Sequence, residues 1–201
     1  VAGIYDFASW TNLIGDEDTG NDTIFFTTEN VPVVSTLPYN EGFEAGNGGW
    51  VAAGTASTWE LGLPAPTNAL IDTANSGVNA WVTNLDGPYA VDEQSYVESP
   101  CMDFSALSTD PVFRFAFLSD TEEDWDGVWV EYTSDNGSTW VTVGDVGEGT
   151  NWYNNNTFAN GDIATGWTGE LGTAGNWLTA THILDGAAGM ANVKIRVSLI
   201  S

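Results

Sequence analysis

Basic residues are almost missing from this chain: 3 Lys and Arg stand against 28 Asp and Glu, a formal net charge of −25. A surface that negative repels phosphate, which argues against nucleic acid and anionic membrane surfaces as partners. Cysteine occurs once, at Cys101, so an internal disulfide and a thiolate metal site are both excluded. Histidine also occurs once, at His182. Any Ser-His-Asp triad would have to use it, and neither Gly-x-Ser-x-Gly nor His-Glu-x-x-His is present. No run is long and apolar enough for a membrane-spanning helix, and no leader pattern opens the chain. The chain starts in the middle of a strand-like pattern, which reads as a processed piece of a longer polypeptide. These absences leave no expected catalytic residue, and the chain is expected not to be an enzyme.

Helical periodicity of useful length is missing as well. What is present is 42% hydrophobic residues, 23 glycines and 10 tryptophans in 201 residues. That composition can bury one good core, and the alternation of short runs between turn residues predicts an all-β chain. A two-sheet jelly-roll β-sandwich fits the pattern best.

Residues 1–34 differ from the rest. GIYDFASWTNL and TIFFTTENVPVV read as strands around the acidic turn GDEDTGND, and two strands alone do not make a stable unit. From residue 35 a short linker with Pro38 leads to a second domain, 35–201. Within it PVFRFAF puts Phe113, Phe115 and Phe117 on one face, and VKIRVSLIS does the same with Val193, Ile195, Val197 and Leu199. If those two strands are neighbours, Arg114 and Arg196 share a carboxylate, the alternative being plain exposure. TEEDWDGVWVEYTSDNGSTWVTV alternates as a strand, with Val128, Val130 and Tyr132 opposite Trp129, Glu131 and Thr133, and turns at Asn136-Gly137. Residues 144–181 are rich in Gly, Asn and Trp and predict an irregular passage with short strands, too polar for a core.

The acidic cluster before that central strand suggests a cation. Calcium takes six to eight hard oxygens from carboxylates in turns. The expected metal ligands are Glu44, Asp72, Glu123, Asp124 and Asp126, holding a structural Ca²⁺. Tryptophans 50, 59, 81, 125, 129 and 140 lie in strand-like motifs and are expected in the core. Trp152, Tyr153, Trp167 and Trp177 lie in the irregular passage, where exposed rings beside Asn and Asp form a sugar-stacking surface. The alternative is that these rings pin the passage to the sandwich.

Taken together, FEAGNGGW, WELGLP, SGVNAWVTNLDGPY, YVESPCMDFS and EEDWDGVWVEYTSDNGSTW resemble the MAM-like jelly-roll domain. That type is attached to secreted bacterial metalloproteases of the immune inhibitor A kind and is common in cell-surface proteins of the Bacteroidota. The opening strands resemble the end of an Ig-like or fibronectin-like module. The resemblance implies a non-catalytic adhesion or structural module of a large extracellular or cell-surface protein. It would work beside other domains of the same chain and possible surface polysaccharide or cell-surface protein partners. The alternatives are a carbohydrate-binding domain and an accessory domain of a secreted metalloprotease. The resemblance also makes VKIRVSLIS a penultimate strand, with a closing strand expected after it and absent from these residues.

Overall fold

The computed structural model describes residues 3–12, 14–15, 17–18, 20–30, 33–65, 71–159 and 161–201. Positions 16 and 19 of the expected acidic turn, 31–32 of the second strand-like run, and Pro66, Thr67 and Asn68 lie outside them. The chain divides into two compact units, Val1–Pro32 and Val33–Ser201.

The first unit is an antiparallel pair, β1 (Gly3–Trp10) and β2 (Thr23–Asn30), in a register that sets Phe7 opposite Phe26. Those rings stack at 5.0 Å, and Thr27 donates to Asp6 at 2.7 Å. Ile24, Phe25 and Trp10 stay exposed, because two strands have too little surface to enclose a core.

The second unit is built of strands alone among the described residues and forms a sandwich. One layer is a five-stranded antiparallel sheet. Its members are β3 (Val51–Thr55), β6 (Gln94–Glu98), β9 (Gly127–Thr133), β10 (Val141–Thr142) and β13 (Lys194–Ile200). Their order is β10-β9-β13-β6-β3, so the strand nearest the C-terminus lies at the centre. Alternation then decides the faces. Ile195 and Leu199 of β13, Val130 of β9 and Val97 of β6 are buried on the inner face. Glu131, Arg196 and Glu98 take the outer one in register across the same strands, with Tyr96 one pair along, opposite Ser198.

The facing layer is not one continuous sheet. Among the described residues β4 (Trp59–Gly62) pairs only with β5 (Ala80–Thr83), and β7 (Val112–Phe117) pairs only with β12 (Leu178–Ile183). β4 lies against β3 and β6. Phe113, Phe115 and Phe117 of β7 pack with Val130, Tyr132 and Ile195 of β9 and β13. A shorter pair, β8 (Ser119–Asp120) with β11 (Glu170–Leu171), continues beyond β7. Between β5 and β7 the layer is interrupted. Because β7 and β13 occupy different layers, Arg114 and Arg196 are not neighbours, and the expected shared carboxylate does not exist. Arg114 is exposed, whereas Arg196 pairs with Glu131 at 2.7 Å.

The turn after β9 forms as its sequence dictates. Asn136 and Gly137 both take positive φ, 60° and 86°, the conformation that Asn-Gly adopts at least cost. Asp135 closes the turn by accepting from the Thr139 amide at 2.9 Å and from the Thr139 hydroxyl at 2.7 Å.

Candidate functional site

The irregular passage supplies the centre of the core rather than a surface. Trp152, Tyr153 and Trp167 are 4%, 3% and 2% exposed. Trp167 lies 4.6 Å from Tyr153, 5.0 Å from Trp152 and 5.0 Å from Phe117, ring centre to ring centre. Each polar tip has a partner, as a buried indole or phenol requires. Trp152 Nε1 donates to the Val143 carbonyl at 2.8 Å, and Trp167 Nε1 donates to the Asn151 carbonyl at 3.0 Å. The Tyr153 hydroxyl receives the Val130 amide at 2.9 Å, and burial pushes its phenol pKa up. These three rings therefore offer no face to a sugar, which corrects the expected stacking surface. Trp177, the fourth expected sugar contact, is half-buried, and its Nε1 donates to the Thr73 carbonyl at 3.1 Å. Within this unit the exposed indole is instead Trp125, at 51%, which was expected inside.

The acidic loop before β9 is stitched to that same passage. Asp124 Oδ1 accepts from Asn155 Nδ2 at 2.6 Å, and the Asp124 amide donates to Thr168 Oγ1 at 2.9 Å. Asp126 Oδ2 accepts from the Tyr89 hydroxyl at 2.6 Å. Burial, with that bond to Asp126, raises the Tyr89 phenol pKa. Glu44 is elsewhere, its Oε1 taking the Val78 and Asn79 amides at 2.9 and 2.8 Å, bonds that hold its carboxyl below the ordinary range. Glu123 and Asp72 are exposed. Among the described residues no three His, Cys, Asp or Glu side chains come together to hold a metal ion, so the five expected calcium ligands are not one cluster.

His182 is buried and committed. Its Nδ1 lies 2.6 Å from the Ile183 carbonyl, its Nε2 lies 3.4 Å from Glu148, and its ring sits 4.9 Å from Trp152. Gly144 and Gly149 close over it at φ 68° and 60°, where an added Cβ would fall 2.5 Å from Nε2 or 2.3 Å from the Thr181 carbonyl oxygen. The ring thus holds a loop down.

A polar and aromatic platform covers the outer face of the five-stranded sheet. The Arg196 guanidinium lies 4.0 Å from the Trp140 ring centre and 4.9 Å from that of Tyr96, while Lys194 pairs with Glu98 at 2.6 Å. Both cations are matched within the face, so the platform is a braced surface rather than an open receptor.

What remains open is the interruption between β5 and β7. A cavity of about 1420 Å³ reaches it; its lining includes Ala80–Thr83 and Val112–Phe117 and extends through the interior to Val97, Val128, Trp167, Ile195, Val197 and Leu199. Trp59 Nε1 and Trp81 Nε1, both from lining residues, are buried and have no hydrogen-bond partner among the described residues. The sequence motifs containing these tryptophans read as core, and nothing in them signalled unpaired donors.

Comparison with known proteins gives one partial similarity. The chain is 32% identical over 110 residues to Bacillopeptidase F of Bacillus subtilis (strain 168), a stretch that covers 54% of this chain and 7% of that protein. The chain therefore spans a small fraction of the relative it matches. No protein-family model and no solved structure matches.

Proposed function

We propose that this chain is a non-catalytic accessory module of an extracellular protease-type polypeptide, one that binds or spaces rather than cuts. The observation that carries the reading is the similarity to Bacillopeptidase F, confined to a segment amounting to 7% of that protein, the proportion of a module within a large polypeptide. The site geometry agrees with it. His182 serves a loop, the acidic side chains serve turns, and the aromatic residues of the long passage serve the core. The MAM-like motifs point the same way, since domains of that type sit beside catalytic domains and in surface proteins. The strongly acidic surface suits an extracellular role, where charge keeps a β-rich module soluble.

The test separates module from enzyme. The product of the gene that encodes this chain is expressed and resolved on a casein zymogram, beside the purified 201-residue chain. The expected result is casein cleavage by the longer product and none by the chain itself. Cleavage by the chain alone, lost in His182→Ala, would overturn the reading. So would a longer product without peptidase activity.

A further inference from the structure

We propose that His182 and Glu148 form a pH-operated clasp on the loop of residues 144–150. Protonation of the ring closes the loop against β12, and deprotonation releases it. The proposal stands apart from the protease reading and rests on the geometry around the ring.

Residues 144–150 cross from one layer of the sandwich to the other. They leave β10, an edge strand of the five-stranded sheet, and reach β12, where Thr150 and Thr181 exchange amide-to-carbonyl bonds at 2.9 and 3.0 Å. Glu148 folds the loop on itself: its Oε2 accepts the Asp145 amide at 2.9 Å, and its own amide donates to the Asp145 carbonyl at 3.2 Å. The same Oε2 faces His182 Nε2 at 3.4 Å, from a side chain that is 56% exposed. Gly147 and Gly149 flank Glu148 at positive φ, so the carboxylate rides on a segment with little steric resistance to rearrangement.

Both ring nitrogens face acceptors, Nδ1 the Ile183 carbonyl and Nε2 the Glu148 carboxylate. A neutral imidazole has one N–H and one lone pair, so it satisfies one oxygen and opposes the other. Only the imidazolium donates to both. Burial works against the charged ring, and the two acceptors work for it. When the proton leaves, Nδ1 keeps its N–H, because β12 fixes the Ile183 carbonyl. The Nε2 lone pair then meets the carboxylate, and the exposed Glu148 is the partner that moves. The other charged groups around the ring are engaged elsewhere or point away. Asp145, on the same loop, accepts from the Val146 amide, which holds its carboxyl below the ordinary range. Arg114 of β7 stands opposite Thr181 and is exposed. Asp110, before β7, takes the Ala188 amide at 2.8 Å, and Asp185, after β12, is exposed. The Tyr153 phenol bonds to Val130, and Trp152, the ring in contact with His182, carries no charge.

The test follows ring and loop together in the 201-residue chain between about pH 5 and pH 8, the interval in which histidine changes charge. Long-range proton–nitrogen NMR spectra read the protonation of each ring nitrogen. Amide exchange, corrected for its intrinsic pH dependence, reads closure at Thr150 and Thr181. The ring is expected to carry protons on both nitrogens at the acid end and on Nδ1 alone at the alkaline end. Over the same titration, protection of the two amides should fall about tenfold, the worth of one hydrogen bond. Glu148→Gln should make that protection independent of pH, because a carboxamide both gives and receives a hydrogen bond. Asp185→Asn should leave the response intact. A ring that keeps one charge state throughout, or that titrates with no change at Thr150 and Thr181, would overturn the proposal. So would a response that survives Glu148→Gln. A response lost in Asp185→Asn would assign it to that carboxylate and overturn the proposal as well.

Discussion

Glu93 is the most deeply committed charged residue described. It is 0% exposed, and its carboxylate accepts from the Thr58 amide and hydroxyl at 2.9 and 2.6 Å, from the Ala90 amide at 3.1 Å, and from the Ser95 hydroxyl. Those donors tie the turn before β4 and the turn before β6 to one point. Glu93→Ala would leave the buried Ser95 hydroxyl and the partly buried Thr58 and Ala90 donors unpaired, and is expected to lower unfolding free energy by about 3 kcal/mol in a urea titration. Nothing in the sequence marked this residue, because one carboxylate among 28 reads as surface. Asp135 sits beside the Asn136-Gly137 turn, which the sequence did show. Its bonds from Thr139 and Thr133 hold its carboxyl at about 2, below the ordinary 3.8. A depressed carboxylate contributes stability that is present above the ordinary value and is lost as pH falls through the folded one. Carbon-detected NMR titration should therefore place the Asp135 midpoint near 2 and raise it only in part in a Thr139→Val variant, which keeps the Thr139 amide and the Thr133 hydroxyl as donors; a midpoint fully restored to the ordinary carboxylate value would contradict the backbone amide as the main cause.

At the scale of the element, alternation told the faces of β7, β9 and β13 correctly, because each is long enough for a period of two to be read. It told nothing about which strands share a sheet, so whether Arg114 and Arg196 are neighbours stayed open until the two layers were seen; Arg114 is exposed, the alternative reading. Two-residue strands such as β10 and β11 carry no period at all. Of the two readings of the aromatic passage, the sugar-stacking one gives way to the alternative in which the rings pin the passage to the sandwich. Polarity averaged over the long Gly/Asn-rich passage hid the fact that Trp152, Tyr153 and Trp167 are spaced to reach one point, while Asn and Thr side chains satisfy the backbone around them. Trp167→Ala is expected to cost roughly 3–5 kcal/mol, as for a large core side chain. Trp125→Ala should stay within about 0.5 kcal/mol, as for a surface site. Chemical denaturation of the two variants side by side distinguishes the observed arrangement from the expected one.

For the whole molecule, the sandwich has one finished layer and one open layer. The finished layer is stabilised by apolar burial on its inner face and by matched cations on its outer face, so acidity costs it little locally. The all-β class was readable from turn spacing and from missing helical periods. The open slot was not readable, since it depends on which strand edges end up facing one another. Amide hydrogen exchange on the 201-residue chain tests this account most directly. The slowest exchange is expected in β13 and β9, which have partners on both sides, with fast exchange at alternate amides of β5 and β7 that face the slot. Uniform slow exchange along β5 and β7 would mean that those edges are already paired, and would contradict the open layer.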